Sequence, residues 1–170
     1  VQGLVDEPQP DREVVEMLRR MGLKIWWSGN TLIAEKNGPL KACVIDCSGN
    51  PDLVPALALA ATAAEGETIL SNVGRLEAKE SARATLITRA LSKMGVKILF
   101  NGNDILVEGP CRLKGATVDA GSDHRIEMML IMAGAAAEGE TTIFNAGSVS
   151  KSNPGFYSWV LEAGVELKWV

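Results

Sequence analysis

The sequence predicts an α/β domain built from repeated β-α-β-α-β-β units. Three segments return further along the chain, each after 73 residues. The pairs are 21–35 with 94–108, 40–47 with 113–120, and 63–68 with 136–141. Strand-like and helix-like patterns alternate within a copy, which indicates sheets covered by helices. A fixed period over most of the chain is typical of a repeat architecture, and about two and a half repeats are present.

Composition and charge set the class of protein. The chain has 170 residues, of which 46% are hydrophobic and 22% are charged, as expected of one globular domain. The formal net charge of −4 argues against a nucleic-acid-binding protein. The sequence contains no apolar run long enough for a transmembrane helix. We expect one domain over 1–170, with repeats at about 1–38, 39–110 and 111–170.

The cysteines and the first residues indicate the setting of the protein. Cys43, Cys47 and Cys111 are too few and odd in number for a disulfide framework. With a single histidine and no CxxC pair, we expect no metal site. These features predict a reducing, cytoplasmic location. The chain starts VQGLVDEPQP, without Met or a signal-peptide pattern, so we expect it to begin inside a longer protein.

Each element of the second copy has its own sequence signal. Alternation predicts strands, apolar positions at helical spacing predict helices, and NGN between two strands predicts a hairpin. The predicted elements are a strand at 42–47, a helix at 52–64, a strand at 67–73, a helix at 79–94, and hairpin strands at 97–100 and 104–108. The first copy contributes a helix at 9–22. The last residues, LEAGVELKWV, predict a helix end followed by a strand.

Charged side chains collect where strands give way to helices. They are Asp52, Lys79, Glu80, Arg83, His124, Arg125 and Lys151. A helix N-terminus favours anions and disfavours cations, so four cations at related junctions indicate a bound anion that compensates them. Arginine binds phosphate and carboxylate groups through paired hydrogen bonds. For any one cation an ordinary solvated position is the better explanation, but for four at related positions a bound anion is.

The remaining candidates each have a structural and a functional interpretation. Glu80 lies between Lys79 and Arg83, where it forms either a helix ion pair or a proton-transfer group whose pKa the cations set. Asp52 fits a carboxylate at the start of a helix, where it interacts favourably with the helix dipole. His124 alone fits a junction or core position. The residues leave these alternatives open.

Five segments together resemble one enzyme family. PQPDREVVEMLRRMG, PDLVPALALAATAAEGET, KESAR, DHRIEM and KSNPGF resemble, in order and spacing, segments of 5-enolpyruvylshikimate-3-phosphate synthases. The resemblance covers nearly the whole chain but only the family's C-terminal part, a little under half of a full-length enzyme. It implies a domain of three β-α-β-α-β-β units around a pseudo-threefold axis.

The resemblance also implies a reaction. In the family, the enolpyruvyl group of phosphoenolpyruvate passes to the 5-hydroxyl of shikimate 3-phosphate, between two domains and without a metal or organic cofactor. The implied roles are a base at oxygen for Asp52, proton exchange at carbon for Glu80, and charge stabilisation for Lys79. The implied donor-binding residues are Arg83, Arg125 and Lys151, with His124 beside them. Without the N-terminal domain, we expect the chain alone to have little or no turnover.

The chain departs from the family pattern at several positions. The family usually has Arg at Glu77, Asp at Ala82, Asp at Ser122, Ala at Glu127 and an aromatic residue at Asn153. Loss of the Asp at position 82 removes an orienting group for the site, and Glu77 reverses a charge near it. Three alternatives follow: a transferase acting on UDP-N-acetylglucosamine, a non-catalytic anion-binding relative, and a truncated domain without activity.

Overall fold

The chain folds into two compact units. The computed structural model describes residues 1–3, 9–35, 37–78 and 81–169. Unit 1 comprises residues 1–75 and 96–111, and unit 2 comprises residues 76–95 and 112–170. Among the described residues, no helix combines the length and the apolar character needed to span a membrane. The expected single domain and its repeat boundaries stay a prediction.

Unit 1 is a mixed sheet with one long central strand. Its elements are a 3₁₀ turn (Pro10–Glu13), α1 (Val14–Arg20), β1 (Lys24–Ser28), β2 (Thr31–Glu35), β3 (Leu40–Lys41), β4 (Val44–Asp46), a 3₁₀ turn (Pro51–Leu53), α2 (Val54–Ala61), β5 (Ala64–Ser71), β6 (Lys97–Phe100) and β7 (Ile105–Gly109). β5 pairs in parallel with β3 and β4 and antiparallel with β7, which pairs with β6. β1 and β2 form a separate hairpin. Helix α2 packs on β5 and β7, and Ile45, Leu57 and Leu70 are fully buried in the core.

Unit 2 contains the second parallel strand pair. Its elements are α3 (Arg83–Lys93), β8 (Thr117–Asp119), α4 (His124–Ala136), β9 (Thr142–Phe144), a 3₁₀ turn (Val149–Lys151) and α5 (Phe156–Glu162), and a 3₁₀ segment (Gly74–Ala78) leads into it. β8 pairs in parallel with β9, and α3 packs against β8 and α4. Ile126 and Leu130 of α4 are fully buried. The β8-α4-β9 arrangement corresponds to β4-α2-β5 of unit 1.

Hydrogen bonds repeat with the 73-residue period seen in the sequence. The N–H of Lys41 donates to the carbonyl of Met21, and Lys114 donates in the same way to Met94. Asn72 donates to Asp46 at 3.0 Å, and Asn145 donates to Asp119 at 2.8 Å. Both asparagines adopt positive φ, at 62° and 53°. The predicted fold class, an α/β fold of repeated units, is therefore confirmed.

Most predicted elements are shifted by up to three residues; for example, the strand predicted at 67–73 is β5 (Ala64–Ser71), and the helix predicted at 52–64 is a 3₁₀ turn followed by α2 (Val54–Ala61). Two predicted elements differ more. The helix expected at 79–94 begins at Arg83, because the residue before it has ψ of 73° and no capping side chain. Ser81 and Ala82 precede that helix, and residues 79–80 lie outside the described residues. The expected strand after Gly164 is absent, since residues 165–169 pair with no strand in the described part of the chain.

Candidate active site

Asp52 lies in unit 1, at the start of the helical segment that follows β4. It is the middle residue of the Pro51–Leu53 turn and is half-buried. The preceding Asn50 is 3% exposed, and its side-chain amide donates to the carboxylate of Glu13. Buried polar groups need such partners, so this bond fixes the turn that carries Asp52. The proposed role of Asp52 as a base stays a prediction.

His124 and Arg125 are the first two residues of α4 in unit 2. The residue before them, Asp123, is the N-cap. Its Oδ1 accepts from the N–H of Arg125 at 2.9 Å and from that of Ile126 at 3.4 Å. Capping of this kind satisfies N–H groups that would otherwise lack an intrahelical acceptor, and it fixes where the helix begins. His124 and Arg125 are half-buried at this end of the helix.

Arg83 joins the same end of α4 through a buried ion pair. Its Nε donates to Oδ2 of Asp123 at 2.8 Å, and the two side chains are only 2% and 1% exposed. The hydroxyl of Ser81 donates to the same oxygen at 2.9 Å. Burial raises the pKa of the Asp123 carboxyl, but the hydrogen bonds from Arg83 and Ser81 outweigh it, and the pKa lies below its usual value. The start of α3 is thereby tied to the start of α4.

Lys151 lies on a turn that is tied to α4 from the other side. It is exposed, at the end of the Val149–Lys151 turn. The hydroxyl of Ser148 donates to the carbonyl of Ser122 at 2.8 Å, just before α4 begins. Backbone N–H groups of the same loop donate to the carboxylate of Glu127 in the first turn of α4. Unit 2 thus brings Arg83, Arg125 and the loop bearing Lys151 to one end of α4.

Lys79 and Glu80 lie outside the described residues, so their roles stay predictions. The described residues around them are held at two points. Ser81, the next residue in the chain, donates to Asp123. The carboxylate of Glu77 accepts from the N–H and the hydroxyl of Thr85 at 2.8 and 2.9 Å.

Sequence reasoning gave no role to two carboxylates that organise this site. Asp123 directly precedes the apolar helix α4, and an Asp at such a position is a capping signal. The signal for Glu127 is a carboxylate within the apolar run RIEMMLIM, because a carboxylate that is buried on such a helix needs hydrogen-bond partners.

An arginine, a helix N-terminus and a nearby lysine form an arrangement suited to a small anion. Comparison with known proteins assigns the chain to a family. The sequence model of "EPSP synthase (3-phosphoshikimate 1-carboxyvinyltransferase)" matches residues 1–159. The chain belongs to the EPSP synthase family. The expected resemblance is therefore confirmed.

Relatives in the EPSP synthase family match nearly the whole chain. The 3-phosphoshikimate 1-carboxyvinyltransferase of Methanocella arvoryzae is 38% identical over 169 residues, covering 99% of this chain and 40% of the relative. That of Clostridium beijerinckii is 38% identical over 154 residues, covering 90% of this chain and 35% of the relative. The EPSP synthase structure from Acinetobacter baumannii is 30% identical with a TM-score of 0.77, covering 88% of this chain and 38% of that one. The chain thus spans about 40% of the length of these relatives.

Two departures from the EPSP synthase pattern, Glu77 and Ala82, meet at the start of α3. Ala82 occupies the N-cap and offers no side-chain hydrogen bond. The Glu77 carboxylate accepts from the N–H of Thr85, the third residue of that helix. Glu77 therefore replaces the capping side chain that Ala82 lacks. The charge reversal at Glu77 therefore has a structural role at the start of α3.

Replacing Glu77 by alanine is expected to lower the free energy of unfolding by about 1 kcal/mol, because α3 loses its only side-chain cap among the described contacts. Urea denaturation followed by circular dichroism measures this loss. Thr85→Ser is the matched control, since it keeps both bonds to Glu77. Equal stability of Glu77→Ala and the unaltered chain would show that the bond contributes nothing.

Proposed function

We propose that this chain is the part of a 3-phosphoshikimate 1-carboxyvinyltransferase that binds phosphoenolpyruvate. The complete enzyme transfers the enolpyruvyl group to the 5-hydroxyl of shikimate 3-phosphate and releases phosphate. The family assignment supports this acceptor over UDP-N-acetylglucosamine, because the matching family is described by its action on 3-phosphoshikimate.

The observation that carries the proposal is the gathering of Arg83, Arg125 and the Lys151 loop at the N-terminal end of α4. A 13-residue helix presents a partial positive charge at this end. Phosphoenolpyruvate carries a phosphate and a carboxylate, and cations near a helix N-terminus suit both groups. The surroundings of Arg125 and Lys151 therefore favour a small dianion.

Each proposed role follows from the chemistry of the transfer. Addition of a hydroxyl to the enol phosphate needs a base at oxygen and an acid at carbon, and loss of phosphate with return of the proton from that carbon then gives the enol ether. Asp52 and Glu80 would serve these steps, and Lys79 would stabilise the charge that develops between them. Arg83, Arg125 and Lys151 would hold the donor, with His124 beside them. Asp123 holds Arg83 in place.

The remainder of the enzyme is proposed to supply most contacts to shikimate 3-phosphate. The relatives extend well beyond the matched region, which supports a second domain as the partner of this one. A cleft that excludes water needs both walls, so this chain alone is proposed to turn over little substrate. Cys43, Cys47 and Cys111 are not in disulfide bonds, which fits the proposed cytoplasmic location.

Titration of phosphoenolpyruvate by isothermal calorimetry tests the donor site. Replacing Arg125 by alanine is expected to weaken binding about 10-fold, since a hydrogen bond to a charged group typically contributes about 1.5–3 kcal/mol. Arg125→Lys should restore only part of the affinity, because an ammonium cannot form the planar paired bonds of a guanidinium.

Arg112→Ala is the charge-matched control. Arg112 is an exposed cation of the same unit, with its Nη1 3.5 Å from Glu138. Its removal should leave affinity for phosphoenolpyruvate within about twofold if only local charge matters. Absence of binding by the unaltered chain, or equal losses in both variants, would contradict the proposed donor site.

A further inference from the structure

The carboxylate of Glu127 is fully buried and accepts four hydrogen bonds. Oε1 accepts from the N–H of Gly147 at 2.9 Å. Oε2 accepts from Ser148 at 2.8 Å and from Val149 at 3.2 Å. The hydroxyl of Tyr157 also donates to Oε1. Three successive backbone N–H groups therefore converge on one side chain that is 0% exposed.

Breaking this hydrogen-bond network would cost free energy. A buried carboxylate is costly unless hydrogen bonds replace the water that it loses. Moving the loop away from Glu127 would break the backbone hydrogen bonds to its carboxylate oxygens. It would also leave three N–H groups without their acceptor. The loop at 147–149 is therefore restrained in one conformation.

The restrained loop leads directly into the turn that carries Lys151. The N–H of Lys151 donates to the carbonyl of Ser148 at 3.2 Å, and that of Ser152 donates to Val149 at 3.0 Å. Both acceptors belong to residues whose own N–H groups bind Glu127. The position of the Lys151 backbone is thus set, through two successive bonds, by a residue of α4.

Tyr157 extends the network to α5. Its hydroxyl donates to Glu127, so one carboxylate joins α4, the 147–149 loop and α5. Burial raises the pKa of the Tyr157 hydroxyl, and the bond to Glu127 raises it further, so the hydroxyl stays a donor. At neutral pH the Tyr157 hydroxyl is therefore protonated and can donate to Glu127.

We propose that Glu127, assisted by Tyr157, is a positioning residue that places Lys151 for binding of the phosphoenolpyruvate anion. The inference rests on the proposed function, because it assigns Lys151 to that donor. The family resemblance implies alanine at position 127, and in this chain the Glu127 carboxylate bonds the loop instead. Neither residue contacts the reacting atoms in this proposal.

Two measurements on the full chain test the proposal. Hydrogen–deuterium exchange of the amides at 147–149 reports the restraint itself, without any ligand. Replacing Glu127 by alanine should accelerate that exchange about 10-fold or more, since three bonds to a charged acceptor are lost. Affinity for phosphoenolpyruvate should fall about 10-fold. Glu140→Ala is the matched control, because Glu140 is an exposed carboxylate of the same unit.

A double-mutant cycle separates positioning from general destabilisation. In a Lys151→Met background, Glu127→Ala should cause no further loss of affinity, because the residue it positions is already gone. Tyr157→Phe keeps the ring and all three backbone bonds, and should reproduce the effects of Glu127→Ala at a few-fold size. That variant provides the same test if Glu127→Ala does not fold.

The outcomes are distinct. Unchanged exchange at 147–149 in both variants would overturn the proposed restraint. Faster exchange with unchanged affinity, or a full loss of affinity that persists in the Lys151→Met background, would overturn the positioning role. Intact protection without any phosphoenolpyruvate binding by the unaltered chain would overturn the proposed function, and the link to Lys151 with it.

Discussion

Replacing Asp123 by alanine is expected to lower the free energy of unfolding by about 3–5 kcal/mol. The substitution removes the carboxylate that Nε of Arg83 contacts at 2.8 Å, in a pair whose side chains are 2% and 1% exposed. It also removes the N-cap of α4 and the acceptor of Ser81. The loss is large because the buried guanidinium of Arg83 loses the carboxylate that its Nε contacts. Urea denaturation at neutral pH measures it.

Two further variants test whether the loss of stability in Asp123→Ala comes from the buried ion pair. Glu138→Ala breaks the exposed pair with Arg112, at 3.5 Å, and should cost less than about 1 kcal/mol. Adding Arg83→Met to Asp123→Ala should recover part of the stability, because no charge then stays buried. A loss below about 1 kcal/mol for Asp123→Ala alone would mean that the buried pair is not important for stability.

The same pair makes stability depend on pH. Hydrogen bonds hold the pKa of Asp123 below its ordinary value of about 4, so the unfolded chain binds the proton more readily. The contribution of Asp123 is therefore complete above about pH 4 and is lost as the pH falls through the folded-state pKa. Denaturation at a series of pH values should show a shallower acid loss for Asp123→Asn than for the unaltered chain.

Replacing Gly115 by alanine is expected to destabilise the protein by about 3 kcal/mol. A Cβ at this position would lie 2.2 Å from the carbonyl oxygen of Glu140 and 2.7 Å from its N and C atoms. All three are backbone atoms, so no side-chain rotation relieves the clash. Gly115 also donates to the carbonyl of Glu138 at 2.8 Å, and moving the chain apart would break that bond.

Gly49→Ala is the control for this effect. A Cβ on Gly49 meets nothing within 4 Å, and its φ is not in the left-handed region. Both variants add one methyl group, so thermal denaturation of the two isolates the effect of crowding. We expect a shift of the midpoint by several degrees for Gly115→Ala alone. Equal midpoints would show that the 138–140 segment moves aside without cost.

The repeat could be recognised from the sequence alone, because similar segments recur after 73 residues. The position corresponding to Gly115 one repeat earlier is Ala42, whose N–H bonds to Glu65 as that of Gly115 bonds to Glu138. Strand alternation, helical spacing and turn residues are local, and they located most elements within a few residues. Family membership followed from the same local segments. The residues at helix starts could be named because capping and junction signals depend only on near neighbours.

Only the tertiary structure decided which of those residues meet. Arg83 and Asp123 are 40 positions apart, and Glu127 lies 20–22 positions from the N–H groups that it binds. Such pairs depend on how helices pack, and no periodicity encodes them. The sequence therefore determined the repeated fold, the family and the candidate charges. Packing determined that Asp123 holds Arg83 and that Glu127 holds the Lys151 loop, because burial makes each carboxylate dependent on distant donors.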